Sequence, residues 1–269
     1  MENSSPEVHG DIRKSPEVKL AAIYNVWDGV ELLVGSMRSV KDNVDLFIIV
    51  YQDVSNFGEQ FNPMANLPLE QMDEEFKIIW IKYEPAMMGM LDEKQKRNFG
   101  INAAREHGCT YFIAMDCDEY YLAGDFERGK KLFLESGCEG SVVTLYSYFG
   151  EATLRQENRD SYYVPFIHKL DAHTVTGAPV YPYYVDPTRK INCASVKLLP
   201  IDMHHYTWVR KDIELKARNS SAKRNIERAG LLKDYYTAKE GAVVNGGNRL
   251  IKVPDYFGIT EMIDTFESV

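Results

Sequence analysis

The sequence lacks the features typical of membrane-spanning and disulfide-stabilised proteins. None of its 269 residues belongs to an apolar run near the ~18 residues that a membrane-spanning helix needs. It has four cysteines and no Cys-x-x-Cys pair, which argues against both a zinc site and a disulfide framework. We therefore expect reduced thiols, no transmembrane segment and a cytoplasmic location.

Positive charge is also scarce, because 31 Lys and Arg oppose 40 Asp and Glu and give a formal net charge of −9. An acidic chain repels phosphate backbones, so non-specific nucleic-acid binding is disfavoured as the main role. The stretch 210–228 is locally rich in Lys and Arg. Nucleic acid as a partner or substrate is therefore disfavoured by the overall charge but kept open by this stretch.

Short apolar segments alternate with amphipathic ones in the first half of the chain. Apolar runs of this length are typical of buried strands, and the amphipathic stretches have helical periodicity. The predicted strands are 19–26, 44–51, 76–81 and 110–115, and the predicted helices are 29–40, 92–107 and 126–136. Asp28 and Glu31 have the spacing of a capping box at the first helix. Alternation of this kind predicts a parallel α/β sheet with helices on both faces.

After residue 140 the pattern changes to that of a mixed sheet. Predicted strands at 141–149, 162–170 and 191–199 precede a predicted helix at 209–228. Residues 1–17 are polar and are expected to form a flexible tail. We expect one catalytic domain over 18–229 and a C-terminal extension over 230–269 that packs on the same domain.

Polar side chains follow three of the predicted parallel strands. In open parallel sheets, ligands bind at the carboxyl ends of the strands. These ends carry Asn25, Trp27 and Asp28 after the first strand, Gln52 and Asp53 after the second, and Asp116, Asp118 and Glu119 after the fourth. This edge of the sheet is therefore the expected binding site.

The acidic cluster at 116–119 is the strongest chemical signal. Three carboxylates within four residues repel one another unless a cation lies among them. Oxygen ligands suit magnesium or manganese, and in an extended segment Asp116 and Asp118 point the same way toward one ion. A solvated acidic turn is the alternative reading of the same residues.

The residues around this cluster resemble GT-A glycosyltransferases, especially family 2 with its Asp-x-Asp(-Glu) motif. The run 96–105 contains an Arg-Asn pair that opens an alanine-rich helix; Gly108 and the segment TYFIAMDCDEYY follow. Their order and spacing match the family, and the resemblance covers about residues 18–220. It implies a Rossmann-like GT-A fold with a mixed, mostly parallel central sheet flanked by helices on both faces.

The resemblance also implies a reaction. A metal-dependent glycosyltransferase of this kind moves a sugar, expected to be a hexose, from a nucleotide-sugar to a hydroxyl acceptor such as a glycan. The donor is expected to be a UDP-sugar, with manganese or magnesium between the motif and the diphosphate. The implied donor contacts are Asn25, Trp27, Asp28, Asp53, Arg97 and Asp116. At Asp53 the chain has Gln-Asp-Val-Ser where the family has Asp-Asp-Gly-Ser, so this match is imperfect.

A late histidine supplies a further metal ligand in many GT-A enzymes. His204 and His205 are the only paired histidines in the chain. We expect one of them to join Asp116 and Asp118 at the metal, although two structural histidines would give the same pattern. Arg210 and Lys216 follow closely and are the expected cations for the donor diphosphate.

The catalytic base and the acceptor are less defined. An inverting enzyme needs a carboxylate or histidine to take the acceptor proton, whereas a retaining enzyme can dispense with such a base. The resemblance implies an Asp or Glu downstream of the motif, and Glu151, Asp160, Asp171 and Asp186 are available. We take Asp186 and Glu151 as the catalytic candidates. A non-catalytic nucleotide- or sugar-binding module on the same fold is the alternative function. A nucleotidyltransferase is disfavoured, because only one glycine follows the first strand where a phosphate-binding loop would need several.

Overall fold

The computed structural model describes residues 17–220, 230–244 and 247–266, so the expected tail lies outside it except for residue 17. Four parallel strands form the centre of the sheet in the order β3-β2-β1-β4. They are β1 (Leu20–Val26), β2 (Leu46–Tyr51), β3 (Ile78–Lys82) and β4 (Tyr111–Asp116). All four lie within about two residues of the predicted strands.

Each face of this sheet carries its own hydrophobic core. Successive side chains of a strand point to opposite faces, so Ala22 and Tyr24 of β1 enter one core while Ala21 and Ile23 enter the other. Helices α1 (Val30–Val40) and α4 (Ala123–Ser136) cover the first face, and α3 (Met90–Glu106) covers the second. The expected two-sided α/β architecture is confirmed.

Antiparallel strands extend the sheet beyond β4. The sheet continues from β4 through β8, β6, β7 and β11 to β10, while β9 pairs in parallel with β6 and antiparallel with β5. These strands are β5 (Glu119–Tyr120), β6 (Gly140–Phe149), β7 (Leu154–Gln156), β8 (Val164–Lys169), β9 (Val196–Trp208), β10 (Val243–Val244) and β11 (Asn248–Lys252). The chain therefore has a mixed Rossmann-like sheet with a parallel centre.

The remaining helices are short. They are α2 (Leu69–Glu75), α5 (Ile213–Asn219), α6 (Leu231–Tyr236) and α7 (Ile259–Thr265). The C-terminal part adds β11 to the sheet edge through β7, and Ile259 of α7 packs with Leu32 of α1. Among the described residues, no helix has the length and apolarity required to cross a lipid bilayer.

The strand predicted at 191–199 is wrong in its bounds, because β9 begins at Val196 and runs on to Trp208. Pro200 gives the appearance of a strand end. In the structure Val142 pairs with Leu198 and Thr144 with Asp202, so the proline lies in a bulge that the sheet tolerates. The histidine pair therefore lies within β9.

Two helix predictions also need correction. The capping box at α1 does not form: Gly29 occupies the N-cap in a left-handed conformation, and Glu31 accepts a hydrogen bond from the Lys211 backbone N–H at 3.2 Å. The helix predicted over 209–228 is limited to α5 within the described residues. Asp212 caps it by accepting from the Leu215 N–H at 2.8 Å, and residues 221–229 lie outside the description.

Candidate functional site

A cleft of about 610 Å³ opens at the carboxyl ends of β1, β2 and β4. Its other walls include the segment between β8 and β9, residues 160–162 before β8, the end of β9, and the side chains of α5 from Lys216 onward. Polar lining residues include Asn25, Trp27, Asp28, Gln52, Lys96, Asp116, Asp118, Asp160, Asp186, His205, Arg210 and Lys216. The cleft thus lies at the strand edge that the sequence indicates.

Asp118 is the most deeply buried carboxylate of the cleft, with a side chain only 1% exposed. Its Oδ2 accepts a hydrogen bond from Arg210 Nη2 and another from Lys216 Nζ at 3.4 Å. Burial alone would raise the pKa of this carboxyl, but the charges of Lys216 and Arg210 hold it well below its usual range. Asp118 is therefore an ionised carboxylate that faces two cations.

Asp116 and Glu119 face a different pair of cations. Asp116 Oδ2 accepts from Arg189 Nη2 at 2.6 Å, and its Oδ1 accepts from Arg97 Nη2 at 3.2 Å. Burial opposes ionisation of Asp116, yet the charges of Arg189 and Arg97 lower its pKa to about 2. Glu119 Oε1 lies 2.7 Å from Arg189 Nη1, although burial still raises the pKa of this carboxyl. The cation that the acidic cluster requires is thus supplied in part by the chain itself.

The two aspartates of the motif both line the cleft but form their ion pairs with different cations. Asp116 is the last residue of β4, whereas Asp118 lies in the turn before β5. Their cationic neighbours differ accordingly. Asp116 therefore lines the cleft with both oxygens engaged by arginines, which distinguishes it from Asp118 as a candidate metal ligand.

The paired histidines are separated by strand alternation. His205 lines the cleft, with Nε2 3.7 Å from Asp118 Oδ1. His204 points to the opposite face, where Nδ1 lies 2.7 Å from Tyr148 Oη, and burial lowers its pKa to about 4. His204 is therefore a neutral core histidine, and the structure leaves only His205 beside the acidic cluster.

The described residues contain no group of three His, Cys, Asp or Glu side chains placed to hold a metal ion. Asp118 Oδ1 and His205 Nε2 nevertheless form an oxygen–nitrogen pair that faces the cleft. Magnesium sites usually take one or two protein carboxylates and complete their shell with water and substrate phosphate oxygens. An ion held by this pair and by a diphosphate fits the residues present.

Several buried polar atoms of the cleft have no hydrogen-bond partner among the described residues. They are both amide atoms of Asn25, Trp27 Nε1, Gln52 Oε1, and the Nε and Nη1 atoms of Arg210; Arg97, whose Nε and Nη1 atoms are also unpaired, does not line the cleft. Buried polar groups are normally paired, so these atoms are available to a ligand in the cleft. Donors and acceptors cluster at the ends of β1 and β2, while the free guanidinium N–H groups suit an anion.

Asp53 is not among the residues that line the cleft. It pairs with Lys82 at 2.8 Å, and its side chain is 36% exposed. The preceding residue, Gln52, is buried and lines the cleft instead, because consecutive side chains at a strand end point in opposite directions. The structure thus replaces Asp53 with Gln52 at the end of β2.

The downstream carboxylates also separate. Asp186 and Asp160 line the cleft, whereas Glu151 lies in the turn after β6 and does not. Asp186 Oδ1 caps the short 3-10 helix Pro187–Arg189 by accepting from the Thr188 N–H at 2.7 Å. Asp160 accepts from the Ser147 hydroxyl, and burial raises its pKa. Of the two catalytic candidates, only Asp186 lines the cleft.

Sequence reasoning missed Lys96 and Arg189. Lys96 Nζ donates to the Val26 carbonyl at 2.8 Å, and burial lowers its pKa to about 8. Arg189 lies 73 positions after Asp116, in a segment with no helical or strand periodicity. The only indication in the sequence is that three carboxylates within four positions need a nearby cation. This need does not identify Arg189 as the residue that supplies it.

No protein-family model and no curated protein sequence matches this chain. Among solved structures, it is similar to S. aureus TarS 1–349, with 10% identity over 82% of this chain and 73% of that chain and a TM-score of 0.48. TarS 1–349 in complex with UDP-GlcNAc gives 11% identity over 82% and 74% and a TM-score of 0.47. A 4-diphosphocytidyl-2C-methyl-D-erythritol synthase gives 11% identity over 58% and 75% and a TM-score of 0.36.

Proposed function

We propose that this chain is a metal-dependent glycosyltransferase that moves a hexosyl group from a UDP-sugar to a hydroxyl of a glycan or another biomolecule. The observation that carries the proposal is the cleft at the ends of β1, β2 and β4. It combines an ionised Asp118, free guanidinium N–H groups and unpaired amide atoms. A nucleoside diphosphate carries the complementary groups, because it has an anionic diphosphate and a base with both donors and acceptors.

The donor site divides into two parts. Asn25, Trp27, Asp28 and Gln52 lie at the ends of β1 and β2 and would receive the base and ribose. The diphosphate would lie beside the motif, close to Arg210, Lys216, Asp118 and His205. Buried cations bind phosphate strongly because little water screens them. Arg97 is held by Glu93 and Asp116 and supports this region from α3.

Asp118 and His205 would hold the divalent cation, manganese or magnesium. When bound, such an ion neutralises the charge that develops on the leaving diphosphate. Arg210 and Lys216 contribute to the same neutralisation from fixed positions in the chain. Asp186 is the proposed base, and Asp160 is a second carboxylate in the cleft. A base that takes the acceptor proton must lie within hydrogen-bond reach of the acceptor hydroxyl.

The first test is a thermal-shift panel of UDP, GDP, CDP and ADP, each with and without MnCl₂. A true ligand stabilises the folded state by about 2.7 kcal/mol at a hundredfold excess over its Kd. We expect UDP with manganese to give the largest shift and Asp118→Asn to abolish the manganese-dependent part. Arg128→Met is the matched control, because Arg128 is exposed and pairs only with Asp125 and the Pro200 carbonyl among its described contacts.

The second test measures release of UDP from UDP-sugars. We expect slow manganese-dependent hydrolysis, lost in Asp118→Asn and Lys216→Met. UDP binding without turnover across a panel of sugars and acceptors would instead identify a non-catalytic binding module. Absence of any nucleotide-dependent shift would contradict both functions.

A further inference from the structure

Arg189 joins the acidic cluster to a long segment of irregular structure. Its side chain is only 5% exposed, and its two terminal nitrogens reach Asp116 at 2.6 Å and Glu119 at 2.7 Å. Arg189 ends the 3-10 helix Pro187–Arg189 within residues 170–195, which connect β8 to β9. Within this connection, the pairing of Thr176 with Ile191 is the only β-bridge among the described residues. Backbone hydrogen bonds also attach the connection to the rest of the chain, from the Tyr163 N–H to the Tyr184 carbonyl at 2.8 Å and from the Gly140 N–H to the Ser195 carbonyl at 2.9 Å. Side-chain and backbone contacts together therefore fix its position.

The neighbouring residue extends these contacts to α3. Thr188 Oγ1 lies 2.9 Å from Glu93 Oε1 and 2.8 Å from Asp186 Oδ1. Glu93 also accepts from Arg97 at 3.0 Å, and Arg97 in turn contacts Asp116. One partly buried network of ion pairs and hydrogen bonds thus joins α3, the end of β4 and the 170–195 connection.

This network fixes one wall of the cleft. Residues 184–187 of the connection line the cleft directly before Arg189. Asp118 takes no part in the network: its described polar partners are Arg210, Lys216 and His205. Two carboxylates that are two positions apart therefore form ion pairs with separate sets of cations.

The energetics make Arg189 the anchor of this wall. A buried ion pair contributes little net stability, but removal of one partner leaves an uncompensated charge and is strongly unfavourable. Loss of Arg189 would leave the buried Glu119 without its ion-pair partner among the described residues and would leave Asp116 with Arg97 alone. The expected response is local opening of the connection before loss of the whole fold.

We infer that Arg189 is a positioning residue and that the two aspartates of the motif have separate roles. Asp116 and Glu119 hold the cleft wall 184–187 in place through Arg189, whereas Asp118 serves the donor diphosphate. Asp186, the proposed base, belongs to this wall, so the wall is the acceptor side of the cleft, an assignment that rests on the proposed function. Transfer therefore requires Arg189, but UDP binding does not.

The experiment compares Arg189→Met, Arg189→Lys and the exposed control Arg128→Met. Amide hydrogen exchange over 170–195 is measured in the unliganded protein, together with the Kd for UDP with manganese and the rate of UDP-sugar hydrolysis. For Arg189→Met we expect exchange in this connection to rise by roughly tenfold or more while the rest of the sheet keeps its protection. The Kd for UDP stays within about threefold, and hydrolysis falls by roughly tenfold because the wall no longer orders the attacking water.

Arg189→Lys should restore part of the protection, because one ammonium reaches one carboxylate but cannot bridge two. Should Arg189→Met fail to fold, Asp116→Asn and Thr188→Val loosen the same network while leaving Arg189 in place. Unchanged exchange in these variants would overturn the anchoring role. A loss of UDP affinity in Arg189→Met as large as in Asp118→Asn would overturn the division of roles.

The two levels of the proposal fail in different ways. Absence of nucleotide binding in the wild-type protein would overturn the proposed donor site. The exchange measurement needs no nucleotide, so it decides the anchoring role of Arg189 in either case.

Discussion

Gly29 leaves the space that the Arg210 guanidinium occupies. An ideal Cβ at position 29 would lie 1.6 Å from Arg210 Nη1, far inside any real contact distance. Gly29 also has φ +70°, a conformation that residues with side chains rarely adopt. Because Arg210 Nη2 donates to Asp118, the absence of a side chain at 29 determines which cation the motif faces.

Gly29→Ala should therefore impair the site as well as the backbone. Any non-glycine residue at positive φ costs about 1 kcal/mol, and at position 29 Arg210 must also move away from Asp118. Gly137→Ala is the matched control, because Gly137 has φ +68° and an added Cβ there meets nothing within 4 Å. We expect similar backbone strain in both variants.

Guanidinium unfolding and UDP titration separate the two effects. Gly29→Ala should lose more stability than Gly137→Ala and should bind UDP roughly tenfold more weakly, since a charge-assisted contact is lost. Equal losses in both measurements would show that Arg210 relaxes without consequence.

The adjacent histidines allow a second comparison within one strand. We expect His205→Ala to remove the manganese-dependent part of UDP binding while leaving the metal-free affinity within about threefold, because a ligand is lost but Arg210 remains. His204→Ala should instead lower stability by about 1–3 kcal/mol through loss of buried packing and of the Tyr148 contact. UDP titration with and without manganese and unfolding of both variants provide the measurements. Loss of manganese-dependent UDP binding in His204→Ala, but not in His205→Ala, would assign the metal to His204 instead.

The central sheet and the position of the site could be predicted from the sequence, because both follow from patterns within short stretches of the chain. A short, continuous apolar run such as 110–115 is typical of a strand that is buried on both faces. The polar residue after each run marks the end of the strand. The edge that carries Asn25, Asp116 and Asp118 follows from this pattern together with the parallel arrangement.

The details of the site depend on information that is not local. Side chains alternate between the two faces of β9, and this alternation determines that His205 and not His204 faces the cleft. Pro200 resembles a strand end, so the sequence does not reveal that β9 continues through both histidines. The same alternation at the end of β2 places the side chain of Gln52, and not that of Asp53, in the cleft. Arg189 approaches Asp116 only through the tertiary path of the 170–195 connection, so no spacing in the sequence indicates it.

His168 should make stability depend on pH. It is fully buried beside Tyr181 Oη at 2.9 Å, and burial lowers its pKa to about 4 from an ordinary value of 6.5. The unfolded chain therefore binds more protons between these values, so stability is complete above pH 6.5 and is lost as the pH falls toward 4. Between pH 7 and pH 5 this group accounts for about 1–2 kcal/mol.

His168→Gln keeps a partner for Tyr181 but does not titrate. Guanidinium unfolding at pH 7 and pH 5 should show a smaller loss in this variant than in the wild type, with a remaining loss from His204, whose pKa is also lowered. The exposed His173→Gln should retain the wild-type difference. If His168→Gln loses as much stability between pH 7 and pH 5 as the wild type, folding does not lower the pKa of His168.

Asn25 should show an opposition between stability and ligand binding. Both polar atoms of its amide are buried at the end of β1 without a partner among the described residues. An unpaired buried amide costs stability, so Asn25→Leu, with a similar volume, should be neutral or more stable by about 1 kcal/mol. The same change should weaken UDP binding by roughly tenfold or more, because the base loses a donor and an acceptor together. Unfolding and UDP titration test the two effects separately, and a variant that is less stable yet binds normally would assign Asn25 to the fold.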